Sequence, residues 1–241
     1  LSTFTLPEAL GGAASRVLLD GYAETPATWR SFCAIRSVPD FKGATAIKPS
    51  FTQPLEPVAP GGELKHGGVM ETTAPFSIDT FGRMLSIDRR DLINDDLGVF
   101  DEAARAMGQA AMRKLSDLVY DTVLTNAGPF FSSGNANLLT GVDTALGVDS
   151  LELAIAAMLT QRDAEGHNLD IRPATLVVPP ELQSTARAVL ESEFITAPAN
   201  APTGNSMRKA VALEVEPRLS NAAKFGAKAS LKAWYLFGAA S

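Results

Sequence analysis

The sequence predicts an α+β chain organised around one long amphipathic helix. Three observations predict it. Apolar or small residues recur at gaps of three and four from Phe100 through Ala103, Met107, Ala111, Leu115 and Leu118 to Thr122, which describes one face of a helix. Before that helix, residues 38–80 hold Pro39, Pro49, Pro54, Pro57, Pro60 and Pro75, and proline removes a backbone donor and breaks helical turns. After it, short apolar runs sit between prolines or polar loops, as in residues 174–178 (ATLVV), the pattern of buried strands.

The elements follow in order. Residues 7–22 hold a short helix, with Leu10, Ala14, Val17 and Leu18 near helical spacing, and Pro26 interrupts it. Trp29, Phe32 and Ile35 are anchor points on an arm. The Pro/Gly-rich stretch is a long two-stranded excursion with strand-like pieces at 44–47 and 63–65 and a turn at Pro60-Gly61-Gly62. Such a segment buries little of its own surface and suits coverage by another chain. Residues 80–88 (TFGRMLSID) alternate as a strand. Asn94, Asp95 and Asp96 cap the long helix, which runs from about 98 to 126, about seven turns. Asn126-Ala127-Gly128-Pro129 stops it.

A Gly/Asn/Ser-rich loop leads to a second helix from Asp149, with Glu152 placed for a capping box and Leu151, Ile155, Met158 and Leu159 on its apolar face. Pro180 opens a third helix reaching about Glu191. Residues 197–208 form a loop, and 210–215 and 233–237 are closing strands.

Composition narrows the function. The 241 residues are 46% hydrophobic and 20% charged, with net charge −6, a globular rather than disordered balance. The acidic balance speaks against a dedicated nucleic-acid binder, which needs clustered Lys and Arg. Cys33 is the single cysteine, so no disulfide forms within the chain, and Phe32, Ala34 and Ile35 around it suggest a buried thiol. No apolar run approaches the ~20 residues of a membrane helix, and no signal peptide opens the chain. The first residue is Leu1, which fits either a processed or a trimmed start.

Catalytic patterns are sparse. His66 and His167 each sit in a Gly-flanked polar turn without a metal-ligand partner at helical spacing. Asp88, Asp91, Asp95 and Asp96 form an acidic cluster of the kind a metal-dependent hydrolase uses, but a helix start explains it as capping. The glycine pairs 61–62 and 67–68 lack a phosphate-loop context. No catalytic, metal or cofactor-binding residue is assigned, and no cofactor is expected.

Six stretches together resemble one known family. They are VPDFK (38–42), TFGRMLSIDRRDLINDDLGVF (80–100), GNANL (134–138), IRPATLVVPPEL (171–182), EPRLS (216–220) and WYLF (234–237). In this order and spacing they resemble the Mu-like phage or prophage major head (major capsid) protein, as found fused behind a prohead protease. The block around LINDDLG is the most specific. The resemblance implies the Hong Kong ninety-seven-like tailed-phage capsid fold. On it, residues 1–37 are an N-terminal arm and 38–79 an extended loop. Residues 80–147 are a peripheral domain with the spine helix, 148–230 an axial domain, and 231–241 the closing strand of the peripheral domain.

It also implies a non-enzymatic shell subunit that assembles as pentamers and hexamers around phage DNA. Decoration, portal or scaffold proteins are further expected partners, packaged DNA is touched by weak non-specific contact, and no membrane is engaged. The location is the virion, with assembly in the host cytoplasm. Expected intersubunit residues are Phe4, Leu6 and Trp29 of the arm, and Phe51, Leu55, Val58, Leu64 and Lys65 of the loop. Arg89 and Arg90 complete the set. An encapsulin-like compartment or a gene transfer particle shares the fold. The protease portion is absent, Gly128-Pro129-Phe130-Phe131 departs from the family's usual loop, and family members usually continue past WYLF.

Overall fold

The computed structural model describes residues 6–37, 44–51, 69–76, 78–84, 99–163, 166–196 and 202–239. The chain divides into two compact units. One holds Leu1–Ala34, Asp88–Asp163 and His167–Ser241, and the other Ile35–Ile87 with Ala164–Gly166.

The first unit is built on a strand with no solvent face. Strand β3 (Pro173–Val178) lies at the centre of a three-stranded sheet, parallel to β6 (Ala212–Val215) and antiparallel to β7 (Tyr235–Gly238). Leu176, Val177 and Val178 are each 0% exposed. Side chains alternate faces along a strand, so Leu176 and Val178 enter one cluster and Val177 another. The first cluster packs Leu151 of α3 (Val148–Leu159) and Ala186, Val189 and Leu190 of α4 (Gln183–Glu191). The second packs Met112 and Tyr120 of α2 (Val99–Thr125) with Trp29 and Leu219. Helices therefore cover both faces, which is why the run ATLVV is apolar without alternation. Each such side chain contributes about 1.5–3 kcal/mol by leaving water.

Helix α1 (Leu6–Glu24) packs along α2. At Gly21 and Gly108 the two backbones touch: a Cβ on Gly108 would overlap the Leu18 carbonyl, and one on Gly21 the Arg105 carbonyl. Helix α2 has the expected extent but not the expected face. Its buried positions are Ala104, Gly108, Met112, Ser116 and Tyr120, a stripe at steps of four. Of the expected stripe, Ala111 and Thr122 are exposed and Leu115 is 39% exposed. The arm selects the face by shape, because small residues let α1 approach. Asn126 ends α2 in the left-handed region at φ 51°. Its amide donates to the Phe131 carbonyl at 2.9 Å, and its carbonyl accepts from the Phe131 N–H at 2.7 Å.

Several other expectations are corrected. Helix α3 is capped at Gly147, whose N–H donates to Ser150 Oγ at 2.9 Å, so neither Asp149 nor Glu152 forms the cap. Residues 202–204, expected within the loop 197–208, instead form β5 (Pro202–Gly204), which pairs with β4 (Phe194–Thr196) as a short hairpin. The closing strand β7, expected at 233–237, pairs antiparallel with β3. A short helix α5 (Ala222–Phe225) was not expected.

The second unit contains an antiparallel ribbon of β1 (Ala44–Phe51) and β2 (Val69–Phe76), in register from Ala44↔Phe76 to Phe51↔Val69. Pro49 and Pro75 are tolerated because each strand of a two-stranded ribbon keeps one edge unpaired. The expected piece at 63–65 lies outside the described residues. Residues 80–84, expected as strand, form no regular element. Alternation specifies a strand only when one face is buried, and here Phe81 is 54% and Met84 91% exposed.

Candidate functional site

No catalytic constellation assembles among the described residues. No group of three or more His, Cys, Asp or Glu could hold a metal there. His167 is an exposed turn residue whose Nδ1 lies 3.3 Å from Asp163 Oδ2. His66 and the acidic cluster of Asp88, Asp91, Asp95 and Asp96 lie outside the described residues. Cys33 is half-buried, and burial pushes its thiol up. No helix among the described residues is long and apolar enough to cross a membrane.

The expected interface residues scatter. Phe4, Leu55, Val58, Leu64, Lys65, Arg89 and Arg90 lie outside the described residues. Leu6 opens α1, and Phe51 closes β1 opposite Val69. Trp29 lies in the interior of its own chain. It is 7% exposed, packed with Met112 and Tyr120 in its own chain's core, and its Nε1–H donates to Ser116 Oγ at 3.2 Å.

What the fold does bring together is a polar clip where three distant segments meet. A short 3-10 turn, Thr28–Ser31, follows α1. The Thr28 hydroxyl donates to Glu216 Oε2 and, 2.7 Å away, meets the Tyr120 hydroxyl. With Thr28 donating to the carboxylate, Tyr120 must donate to Thr28, so the relay runs phenol to hydroxyl to carboxylate. Burial pushes the Tyr120 phenol up and keeps it protonated for that role.

Glu216 is 1% exposed. A buried carboxylate is tolerated only when paired, and Oε1 accepts from the Arg218 N–H at 3.0 Å and from Arg218 Nη1 at 2.9 Å. Arg218 Nε also donates to Asp117 Oδ1 of α2 at 2.8 Å, and Lys224 donates to Asp117 Oδ2. Burial pushes the Asp117 carboxyl up, but hydrogen bonds from Lys224 and Arg218 outweigh it and hold the group below its ordinary value. Phe32 completes the clip, stacked on Phe237 of β7 with centroids 4.1 Å apart and 8° between planes.

Beside β7 lies an apolar groove of about 500 Å³, lined by Phe130, Phe131, Leu138, Met158, Tyr235 and Phe237 among others. Asparagines brace its loop: Asn135 and Asn137 both donate to the Phe130 carbonyl, at 2.8 and 2.9 Å. Phe130 and Leu138 remain 62% and 44% exposed. Reasoning from sequence missed the clip. Its one signal was EPRLS, quoted for resemblance, which carries both Glu216 and Arg218.

Three comparisons bear on this architecture. A family model described as phage capsid protein matches residues 71–241. Two solved structures share the fold, both of bacteriophage JBD30. One is its capsid decorated with minor capsid protein trimers, 16% identical, with a TM-score of 0.55, covering 80% of this chain and 90% of that one. The other is its procapsid, 16% identical, with a TM-score of 0.56, covering 80% of this chain and 93% of that one. No curated protein matches.

Proposed function

Because the chain belongs to the phage capsid protein family, we propose that it is a major capsid subunit that self-assembles as pentamers and hexamers into an icosahedral shell around phage DNA. Its role is structural, as a component of the virion capsid. The observation that carries the reading is the family match over residues 71–241, joined by a fold shared with a capsid and a procapsid subunit.

The finer reading is the Hong Kong ninety-seven-like fold of the Mu-like head proteins, with assembly in the host cytoplasm. Residues 38–79 act as the extended loop over a neighbouring subunit, and α2 is the spine. Phe4, Leu6, Trp29, Phe51, Leu55, Val58, Leu64, Lys65, Arg89 and Arg90 make the intersubunit contacts. The two-stranded ribbon with a Pro/Gly-rich sequence supports this, since it suits coverage by another chain. The JBD30 capsid carries minor capsid protein trimers, and decoration proteins of that kind are proposed as partners here.

Negative-stain microscopy of the expressed protein tests the reading, with shells or capsomers expected. A protein that stays monomeric at every concentration overturns it. Deleting residues 45–72 is expected to leave a folded first unit that builds no stable shells, and intact particles from that deletion overturn the loop assignment. Nucleic acid in purified particles separates a virus shell from a protein-filled compartment.

A further inference from the structure

We propose that residues 6–33 form a strap that closes on the body through the Thr28–Phe32 clip and opens as one unit, leaving its seat and the rest of the fold intact. The chain path permits this. The arm leaves the first unit at Ala34, and the chain re-enters that unit only at Asp88 after passing through the second unit. No strand of the three-stranded sheet comes from the arm, so lifting the arm breaks no ladder in the body.

The chemistry of the seat favours reversible opening. Releasing a buried charge from its sole partner is strongly unfavourable, but no charged group of the seat depends on the strap alone. Glu216 keeps both bonds from Arg218, and Asp117 keeps Arg218 and Lys224. Ser116, which accepts from Trp29, still donates to the Met112 carbonyl at 3.1 Å. The seat therefore keeps its charge pairing when the strap leaves, and the Glu216 Oε2 and Tyr120 hydroxyl that Thr28 met turn to water instead. Backbone contact at Gly21 and Gly108 holds α1 without a covalent tie. The exposed Arg105–Glu24 pair at 2.8 Å adds little. Closed, the strap stows Trp29 and packs Phe32 against the body. Open, it presents both and bares Tyr120 and Phe237. The strap thus sets when two aromatic anchors are available to anything outside the chain.

Cys33 reports the state directly, because it packs against the clip cluster and is the only thiol in the chain. The test follows its labelling by a disulfide reagent in the full-length protein, with amide hydrogen exchange in parallel. In the unaltered protein, labelling is expected about 100-fold or more below that of the denatured chain, and amides of α1 and residues 28–33 exchange together, ahead of β3. Thr28→Val and Tyr120→Phe, both close in shape to the residues they replace, are expected to speed labelling about 10-fold to 100-fold, the size of a lost hydrogen bond on a charge-linked relay. Exchange from β3 and α4 should stay unchanged in both. Three results overturn the proposal: Cys33 reacting at the denatured rate without any substitution, neither variant changing the rate, or faster labelling in step with lost protection in β3. The exchange pattern of the unaltered protein decides the matter even if a variant folds poorly.

Discussion

Replacing Gly108 by alanine sets two opposed effects against each other. In an exposed helix interior, Gly→Ala stabilises by about 1 kcal/mol through backbone entropy. Gly108 is buried in the middle of α2, and a Cβ there would overlap the Leu18 carbonyl and crowd the Tyr22 nitrogen. Those atoms are helix backbone, so they cannot rotate away as a side chain does. The helices must separate, opening the contacts along α1, and overpacking of this kind costs about 1–3 kcal/mol or more. The steric cost should win, because the clash is with backbone and sits at the upper end of that range, leaving a net loss of about 2 kcal/mol after the propensity gain. For a chain of this size each kcal/mol moves the Tm by about 2–4 °C, so scanning calorimetry should show a fall of several degrees. A second substitution, Gly21→Ala, should do the same, because its Cβ meets the Arg105 carbonyl. A rise in Tm for Gly108→Ala would refute the backbone contact between the two helices.

Three further outcomes follow from the same geometry. Leu176→Ala should cost about 2–5 kcal/mol in a urea titration, because Leu176 is 0% exposed between α3 and α4. Asp117→Asn should flatten the acid limb of the stability curve: the folded carboxyl lies below its ordinary value of 3.8, so its contribution is present above that pH and is lost as pH falls through the lower folded value, which unfolding curves from pH 5 to 2 would register. Asn126→Ala should destabilise by about 1–2 kcal/mol by removing two bonds to Phe131 and placing alanine in the left-handed region, whereas Asn126→Gly should recover the conformational part when the two are compared by thermal melting.

What was legible in the sequence divides by how local the cause is. The extent of α2 could be read because a run of good helix formers ends on Asn-Ala-Gly-Pro. The face it buries could not. Apolar or small residues occur on more than one face of the helix, and only the approach of α1 makes the face with Gly108 and Ser116 the buried one. Strand β3 was legible because burial on both faces removes any need for polar residues. Residues 80–84 show the converse, an alternating pattern without a buried face to enforce it. The cap of α3 was misplaced by two residues because a serine reaching back to Gly147 does what an acidic capping box was expected to do. The clip had no local signature. Thr28, Tyr120 and Glu216 are 92 and 188 residues apart from the first to the other two, and nothing at any one site announces the others.

The double burial of β3 also sets a schedule for the ribosome. Its neighbours in the sheet are both made later: β6 begins at Ala212 and β7 ends at Gly238. At about 5–20 residues per second, the run Leu176-Val177-Val178 waits about 3–12 s of synthesis before its last partner exists. Through that interval it is an uncharged, β-prone segment open to the same segment on other nascent chains. Pro173 at its start and Pro179-Pro180 just past its end leave any such chance pairing short, since neither end can extend a ladder. The prolines that frame the strand are placed as gatekeepers during translation.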